Sequence, residues 1–294
     1  MSASHADTHV LKFYIIQSKR EKENYILNIL KEILLGHLIY RKQLLKLAKA
    51  DIVKTYKGAA LGWSWAVIRP AITIFVYWFA FSVGVRVSRD VNGYPYFLWL
   101  IGGMIPWFYM RDIFVGGASS LRRYTYLVTK IKFPICTIPT FVNLSLFLIN
   151  LGLTVIMLIL YAAFGYMPDK YYLQLPLYML MMFLIFNAWA LFSAMISAMS
   201  RDFLNLIKSV TIALFWLSGI MYDVSTISVD WIRKLMLFNP ITIVVNGYRN
   251  SLVYKQWFWE HPSQMLNFII VYIALIVLSV WAYKKLKKDV PDVL

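Results

Sequence analysis

One cysteine, four histidines and 14 acidic residues are few for a chain of 294, and each shortage closes off a class of chemistry. A lone Cys136 within an apolar run allows no disulfide framework and no thiolate metal site, and it reads as a small buried hydrophobe. His5, His9, His37 and His261 are scattered, so no HExxH or related metal constellation forms, and no metal is expected. The chain has no GxSxG elbow and no carboxylate pair in a shared apolar setting. It also lacks a GxxxxGK[ST] loop, so any ATP that drives it is hydrolysed on another polypeptide. Internal repeats, low-complexity tracts and interdomain linkers are missing as well. The first 35 residues spread Lys12, Lys19, Arg20, Lys22 and Lys31 without an early apolar core, so no cleavable signal peptide is expected.

What is abundant is apolar. Hydrophobic residues make up 60%, aromatics 17% and charged residues only 15%, with a mean hydropathy of +0.62. That composition belongs to polytopic membrane proteins and leaves room for six spans with their connections. The net charge of +16 could suggest nucleic acid, but the cations sit where membrane topology needs them, so no nucleic-acid partner is expected.

The organising stretch is Asp51–Val85, where a basic helical segment breaks at Gly58 and Gly62 and becomes an apolar run. Some 20 apolar residues at a rise of ~1.5 Å each just cross a bilayer. Before it, from Gly36 to Lys57, the apolar set Leu38, Leu45 and Ile52 recurs every seven residues among Arg41, Lys42, Lys46, Lys49, Lys54 and Lys57. This pattern predicts an interfacial amphipathic helix, its cations at anionic head groups. The six spans are then expected at 63–85, 96–117, 135–164 (interrupted by Pro139 and Gly152), 173–199, 203–222 and 264–283. Residues 1–57 form an N-terminal arm plus collar, 58–283 the transmembrane domain, and 284–294 a basic tail.

Orientation follows from the cations. With the N-terminus inside, twelve Lys and Arg up to Arg69 are cytoplasmic, joined by Arg122, Arg123, Lys130, Lys132, Arg201 and the four lysines of KKLKK. Only Arg86, Arg89, Lys170, Arg233, Lys234, Arg249 and Lys255 fall outside. Both termini are therefore expected in the cytoplasm.

Three stretches stand out chemically. SLRRYTYLVTKIKFP, from Ser120 to Pro134, is a short basic segment with apolar residues between two spans. It suits a cytoplasmic helix resting in a cleft of a moving partner, or a plain positive-inside loop. Residues 223–262 hold two apolar pieces, each too short to span, decorated by Trp231, Tyr248, Tyr254, Trp257 and Trp259. Short helices dipping into the outer leaflet, or an exposed loop, both fit. Aromatics crowd the spans, among them Trp63, Tyr77, Trp78, Phe81, Trp189, Phe215 and Trp216. They serve as belt or packing residues, or as a wall on which sugar faces slide. Arg69, Arg111, Asp112, Arg201, Asp202 and Lys208 lie in or beside spans; adjacent Arg111 and Asp112 point about 100° apart and are expected to pair with other spans, while a phosphate or simple snorkelling accounts for Arg69, Arg201 and Lys208.

Six stretches in order carry a resemblance: LGWSWAVIRPAITIFVYWFAF, VNGYPYFLWLIGGMIPW, VTKIKFP, FGYMPDKYYLQL, SRD and FNPITIVVNGYRNSL. Together they resemble type-2 ABC exporter permeases for lipid-linked polysaccharides, with wall teichoic acid exporter permeases the nearest likeness and O-antigen and capsule exporters sharing the layout. The resemblance implies an all-α, six-span membrane subunit with short re-entrant helices between spans 5 and 6. It implies a homodimer in the bacterial plasma membrane, each subunit docked on a separate ATPase that uses ATP and Mg, with no cofactor on this chain. The substrate implied is an undecaprenyl-diphosphate-linked polymer. By position, Leu121, Arg122, Arg123, Tyr124, Lys130, Lys132 and Phe133 would couple to the ATPase. Trp63, Tyr77, Trp78, Phe81, Trp189, Phe215 and Trp216 would line the conduit, and Lys57, Arg69, Arg201 and Lys208 would receive the diphosphate. Tyr222, Trp231, Tyr248 and Arg249 would form the outer gate. Two other classes compete. A membrane transferase would need a constellation that Asp223, Asp230, Glu260 and His261 do not form by spacing, and a secondary transporter would need inverted repeats.

Overall fold

The computed structural model describes residues 28–84, 90–131 and 133–294. Most of the N-terminal arm, Arg86, Arg89 and the coupling candidate Lys132 lie outside the described residues. Every helix and turn of regular structure there is helical, without a named strand. Helix α1 (residues 28–39) leads into α2 (Arg41–Tyr56), so the collar begins earlier than Gly36. There follow α3 (Trp65–Phe79, extended by a wide turn to Gly84), α4 (Tyr96–Ala118), α5 (Ser120–Arg123), α6 (Thr125–Thr129) and α7 (Thr137–Ala163). Next come α8 (Leu175–Met199), α9 (Arg201–Leu217), α10 (Asp230–Met236), α11 (Pro240–Arg249), α12 (Pro262–Leu286) and α13 (Val290–Val293).

Four segments among the described residues are long and apolar enough to cross a membrane: Gly62–Gly84, Thr137–Ala163, Lys170–Met199 and Pro262–Leu286. The expected second and fifth spans depart from this in different ways. With 17 residues, α9 reaches ~26 Å, slightly under a ~30 Å hydrocarbon core. Its predicted continuation to Tyr222 is instead a turn, with Gly219 at φ +66°. At 23 residues α4 is long enough, but it carries Arg111, Asp112, Pro106 and paired glycines. It can afford them because it is enclosed, packing on α7, α8 and α11 and touching α3 and α9. The expected interruption of the third span is absent, because Pro139 falls in the first turn of α7, where its missing N–H costs nothing.

Small residues let the central helices approach. A Cβ added at Gly117 of α4 would lie 2.7 Å from the Ala190 methyl of α8. At Gly247 of α11 it would fall inside the Tyr178 ring. Close backbone contact through Gly, Ala and Ser is how helices associate where lipid offers no hydrophobic drive. The basic tail packs onto the bundle. Residues 284–294 fold back, with Val290 fully buried and α13 against α6 and α8.

Candidate functional site

The collar-side end of the bundle gathers most of the chemistry. α2 buries Leu44, Ala48, Asp51 and Ile52 on α7, while Leu38, Leu45 and Val53 stay about half exposed or more. The heptad series is thus split: Ile52 is core, and Leu38 and Leu45 form the outward apolar face. Asp51 is the one acid among the six cations between Gly36 and Lys57. It is 6% exposed and accepts hydrogen bonds from Ser145 Oγ of α7 (2.5 Å) and from the Tyr124 hydroxyl. Sequence reading missed this residue, although a single acid in a basic helix was the available signal. Burial, reinforced by the Asp51 carboxylate, pushes the Tyr124 phenol well above its ordinary value. Lys54 and Arg123 flank the same ring at 5.1 and 5.5 Å.

The basic segment after α4 forms two short helices, and its residues divide by role. Leu121, Tyr124, Leu127 and Val128 are buried. Arg122 donates from Nε and Nη2 to the carbonyls of Ser197 and Ala198 (2.6 and 2.8 Å), closing the carbonyl end of α8. Phe133 is half-buried with its ring edge on Tyr40. Outward-facing residues are Arg123, Tyr126, Lys130 and Ile131. Of the expected coupling set, Leu121, Arg122 and Tyr124 therefore hold the hairpin together, and Arg123 and Lys130 remain open to a partner.

The four cations expected at a single diphosphate inlet are not brought together. Arg201 and Lys208 share a cavity of about 430 Å³ with Arg122, Thr125 and Asn205. Arg69 lines a separate cavity of about 500 Å³ with Tyr56, Arg111 and Asp112. Lys57 lines neither and caps the end of α2 in extended backbone. Burial and the nearby Arg201 charge lower the Arg122 pKa.

The expected conduit aromatics also separate. Tyr77 and Trp107 meet Phe215 at 5.2 and 5.6 Å, and Phe215 meets Trp216 at 5.1 Å. This cluster joins α3, α4 and α9, with Phe215 buried and Trp216 half exposed. Trp78 and Phe81 are half-buried, Trp78 touching Phe75 and Phe97. Trp63 stacks loosely on Tyr56 at the collar. Trp189 is a packing residue: its ring lies flat on Phe114 at 4.4 Å and its Nε1–H donates to the Phe114 carbonyl.

At the far end, α10 and α11 are as short as the sequence predicts but unlike each other. α10 is peripheral, with Trp231 67% exposed, whereas Ile241–Val245, Tyr248 and Arg249 of α11 belong to the core. Arg249 is 1% exposed, donates to the Gly219 and Ile220 carbonyls (2.7 and 2.5 Å), and stacks 3.4 Å from the Trp99 ring centre. Trp99 Nε1–H donates to the Tyr254 hydroxyl (2.9 Å), which donates to Asp223 (2.7 Å). Tyr222 is half-buried, its hydroxyl donating to the Trp216 carbonyl (3.0 Å). Tyr248 and Arg249 are thus fixed parts of the frame, and of the expected gate set only Trp231 and Tyr222 are at least partly exposed.

The same bundle is matched by the family model for ABC-2 type transporter, over residues 42–253. The chain belongs to the ABC-2 type transporter family. Among its relatives is the O-antigen export system permease protein RfbA of Myxococcus xanthus, 28% identical over 247 residues, covering 83% of this chain and 90% of that protein. Two proteins of the same name from Klebsiella pneumoniae are 23% and 20% identical, over 85% and 82% of this chain and 94% and 92% of theirs. As an ABC-2 transporter chain it is the permease of an exporter, and the matched range runs from the collar helix α2 to the end of the buried α11 segment.

Proposed function

We propose that this chain is the transmembrane, non-catalytic subunit of an ATP-driven exporter that moves an undecaprenyl-diphosphate-linked polymer out of a bacterial cell. It works as a homodimer in the plasma membrane, both termini cytoplasmic, each copy docked on an ATPase subunit that holds ATP and Mg. The observation that carries this reading is the family match over residues 42–253, with export permeases as relatives along most of their length. Movement of the ATPase acts on Arg123, Tyr126, Lys130 and Ile131. It is passed through buried Leu121, Tyr124 and Leu127 into α7 and α8, and through Asp51 into the collar. The diphosphate is received at Arg201 and Lys208, beside α9, and the polymer passes the Tyr77–Phe215–Trp216 cluster.

The names of the relatives favour an O-antigen-type glycan, while the overall sequence resemblance is nearest to wall teichoic acid exporter permeases. Co-purification of the full chain with its ATPase, followed by ATP-dependent transport of each lipid-linked polymer in proteoliposomes, tests both levels. Purification without a Walker-loop polypeptide overturns the exporter assembly. Transport of glycan but not of polyol phosphate decides against teichoic acid.

A further inference from the structure

The cavity at Arg69 is the head of a longer groove. It is lined by Tyr56 of α2, Trp65, Arg69 and Thr73 of α3, Arg111 and Asp112 of α4, and residues of α7. It shares Pro70 and Leu153 with a second cavity of about 250 Å³ whose lining is wholly apolar, including Val67, Ile74, Ile105 and Met157. The second shares Phe75 and Phe97 with a third, more open one near Trp78. The three form one furrow along α3, charged at the collar end, apolar in the middle between α3 and α7, and lined by Ser82, Asp90 and Tyr96 at the far end.

Charge and length select the occupant. Arg111 is paired with Asp112 at 2.7 Å, whereas Arg69 stacks near Trp65 at 5.5 Å and feels the Asp112 carboxylate only at longer range, so two guanidiniums share one acid. The head therefore carries one uncompensated positive charge, which matches a phosphodiester better than a doubly charged diphosphate. The wholly apolar part of the furrow runs from the level of Val67 to that of Phe75, ~12 Å at the helical rise and close to the ~15 Å depth of one leaflet, before Ser82 and Asp90 enter the lining. A fatty acyl chain fits that depth, and a polyprenyl chain overruns it.

We propose that the α3–α7 furrow is a binding site for one anionic phospholipid of the collar-side leaflet, its phosphodiester on Arg69 and one acyl chain between Ile74, Leu153 and Met157. The site is separate from the Arg201–Lys208 cavity, and it stands whether or not the exported polymer is the one proposed above. Bound there, the lipid ties the collar to α3, the least covered of the spans, and makes their relative position depend on lipid composition.

Native mass spectrometry of the full chain, delipidated and titrated with dioleoyl phosphatidylglycerol or dioleoyl phosphatidylcholine, tests this. One phosphatidylglycerol per chain is expected, retained about fivefold better than the choline lipid. Arg69→Gln removes that preference, and Leu153→Trp, which fills the slot, removes retention of both lipids while the helical circular dichroism is unchanged. Equal retention of the two lipids by the native chain overturns the proposal, as does an intact preference in Arg69→Gln. Displacement of phosphatidylglycerol by undecaprenyl diphosphate, with loss of that displacement in Arg69→Gln, assigns the furrow to the carrier lipid and overturns it too.

Discussion

Two spans of this chain have nearly the same apolarity and opposite surroundings. Gly62–Gly84, which contains α3, has a mean hydropathy of 1.7 and 6% of its apolar window buried; Lys170–Met199, which contains α8, has 2.0 and 61%. In the second half of α8 the difference is one of side-chain size. α8 presents Ala190, Ser193, Ala194, Ser197 and Ala198 to its neighbours, all buried. α3 presents Ile72, Phe75, Val76 and Phe79, all more than half exposed. Lipid is as apolar as leucine, so hydropathy reports that a helix lies in the membrane, and small residues report that it lies against protein. α9 resembles α3, burying only Ile207, Thr211 and Phe215. These two open faces flank the Tyr77–Phe215–Trp216 cluster proposed to meet the polymer.

The difference can be broken most sharply on the packed side. Gly247→Leu drives a side chain into the Tyr178 ring of α8, and a cost of about 3 kcal/mol or more is expected, read as loss of the monodisperse peak and cooperative melting in detergent. Arg122→Ala removes two charged hydrogen bonds from the end of α8 and is expected to cost about 1.5–3 kcal/mol in denaturant unfolding. A smaller effect comes from Tyr124. Its phenol is raised from 10.0 in the folded chain, so the native state keeps a proton that the unfolded chain releases. That contribution is complete below pH ~10 and is lost as pH rises above it. Tyr124→Phe should flatten the fall in stability above pH ~10, and an unchanged slope there would place the alkaline loss elsewhere. On the open side, Ile212→Ala and Phe79→Ala should alter melting of the detergent-purified chain by no more than ~0.5 kcal/mol. Trp216→Ala should leave melting equally unmoved and lower polymer transport in proteoliposomes.

Long apolar runs and breaks made most of the fold legible, because those runs are set by bilayer thickness. α4 was legible in position but not in kind: its glycines, Arg111 and Asp112 are tolerated only because other helices surround it. The basic segment at 120–134 was legible as a feature, yet the inward turn of Leu121, Arg122 and Tyr124 depends on α2, α7 and α8, far away in sequence. The same limit separated Arg69 from Arg201 and Lys208. Cations at one membrane depth look alike along a sequence, and only the bundle decides which share a cavity. Trp189 and Phe215 show the corresponding limit for aromatics, whose composition marks membrane depth without saying whether a ring faces protein or a passage.

Arg249 bears on the order in which the molecule is made. A guanidinium carried into the core by a ten-residue helix would be costly if it had to wait there alone. Its three anchors, the Trp99 ring and the Gly219 and Ile220 carbonyls, all precede it in the chain. Synthesis from the N-terminus delivers the receiving surface first and the charge last. The arginine is thus a late-arriving bolt, inserted once the helices it fastens have been threaded.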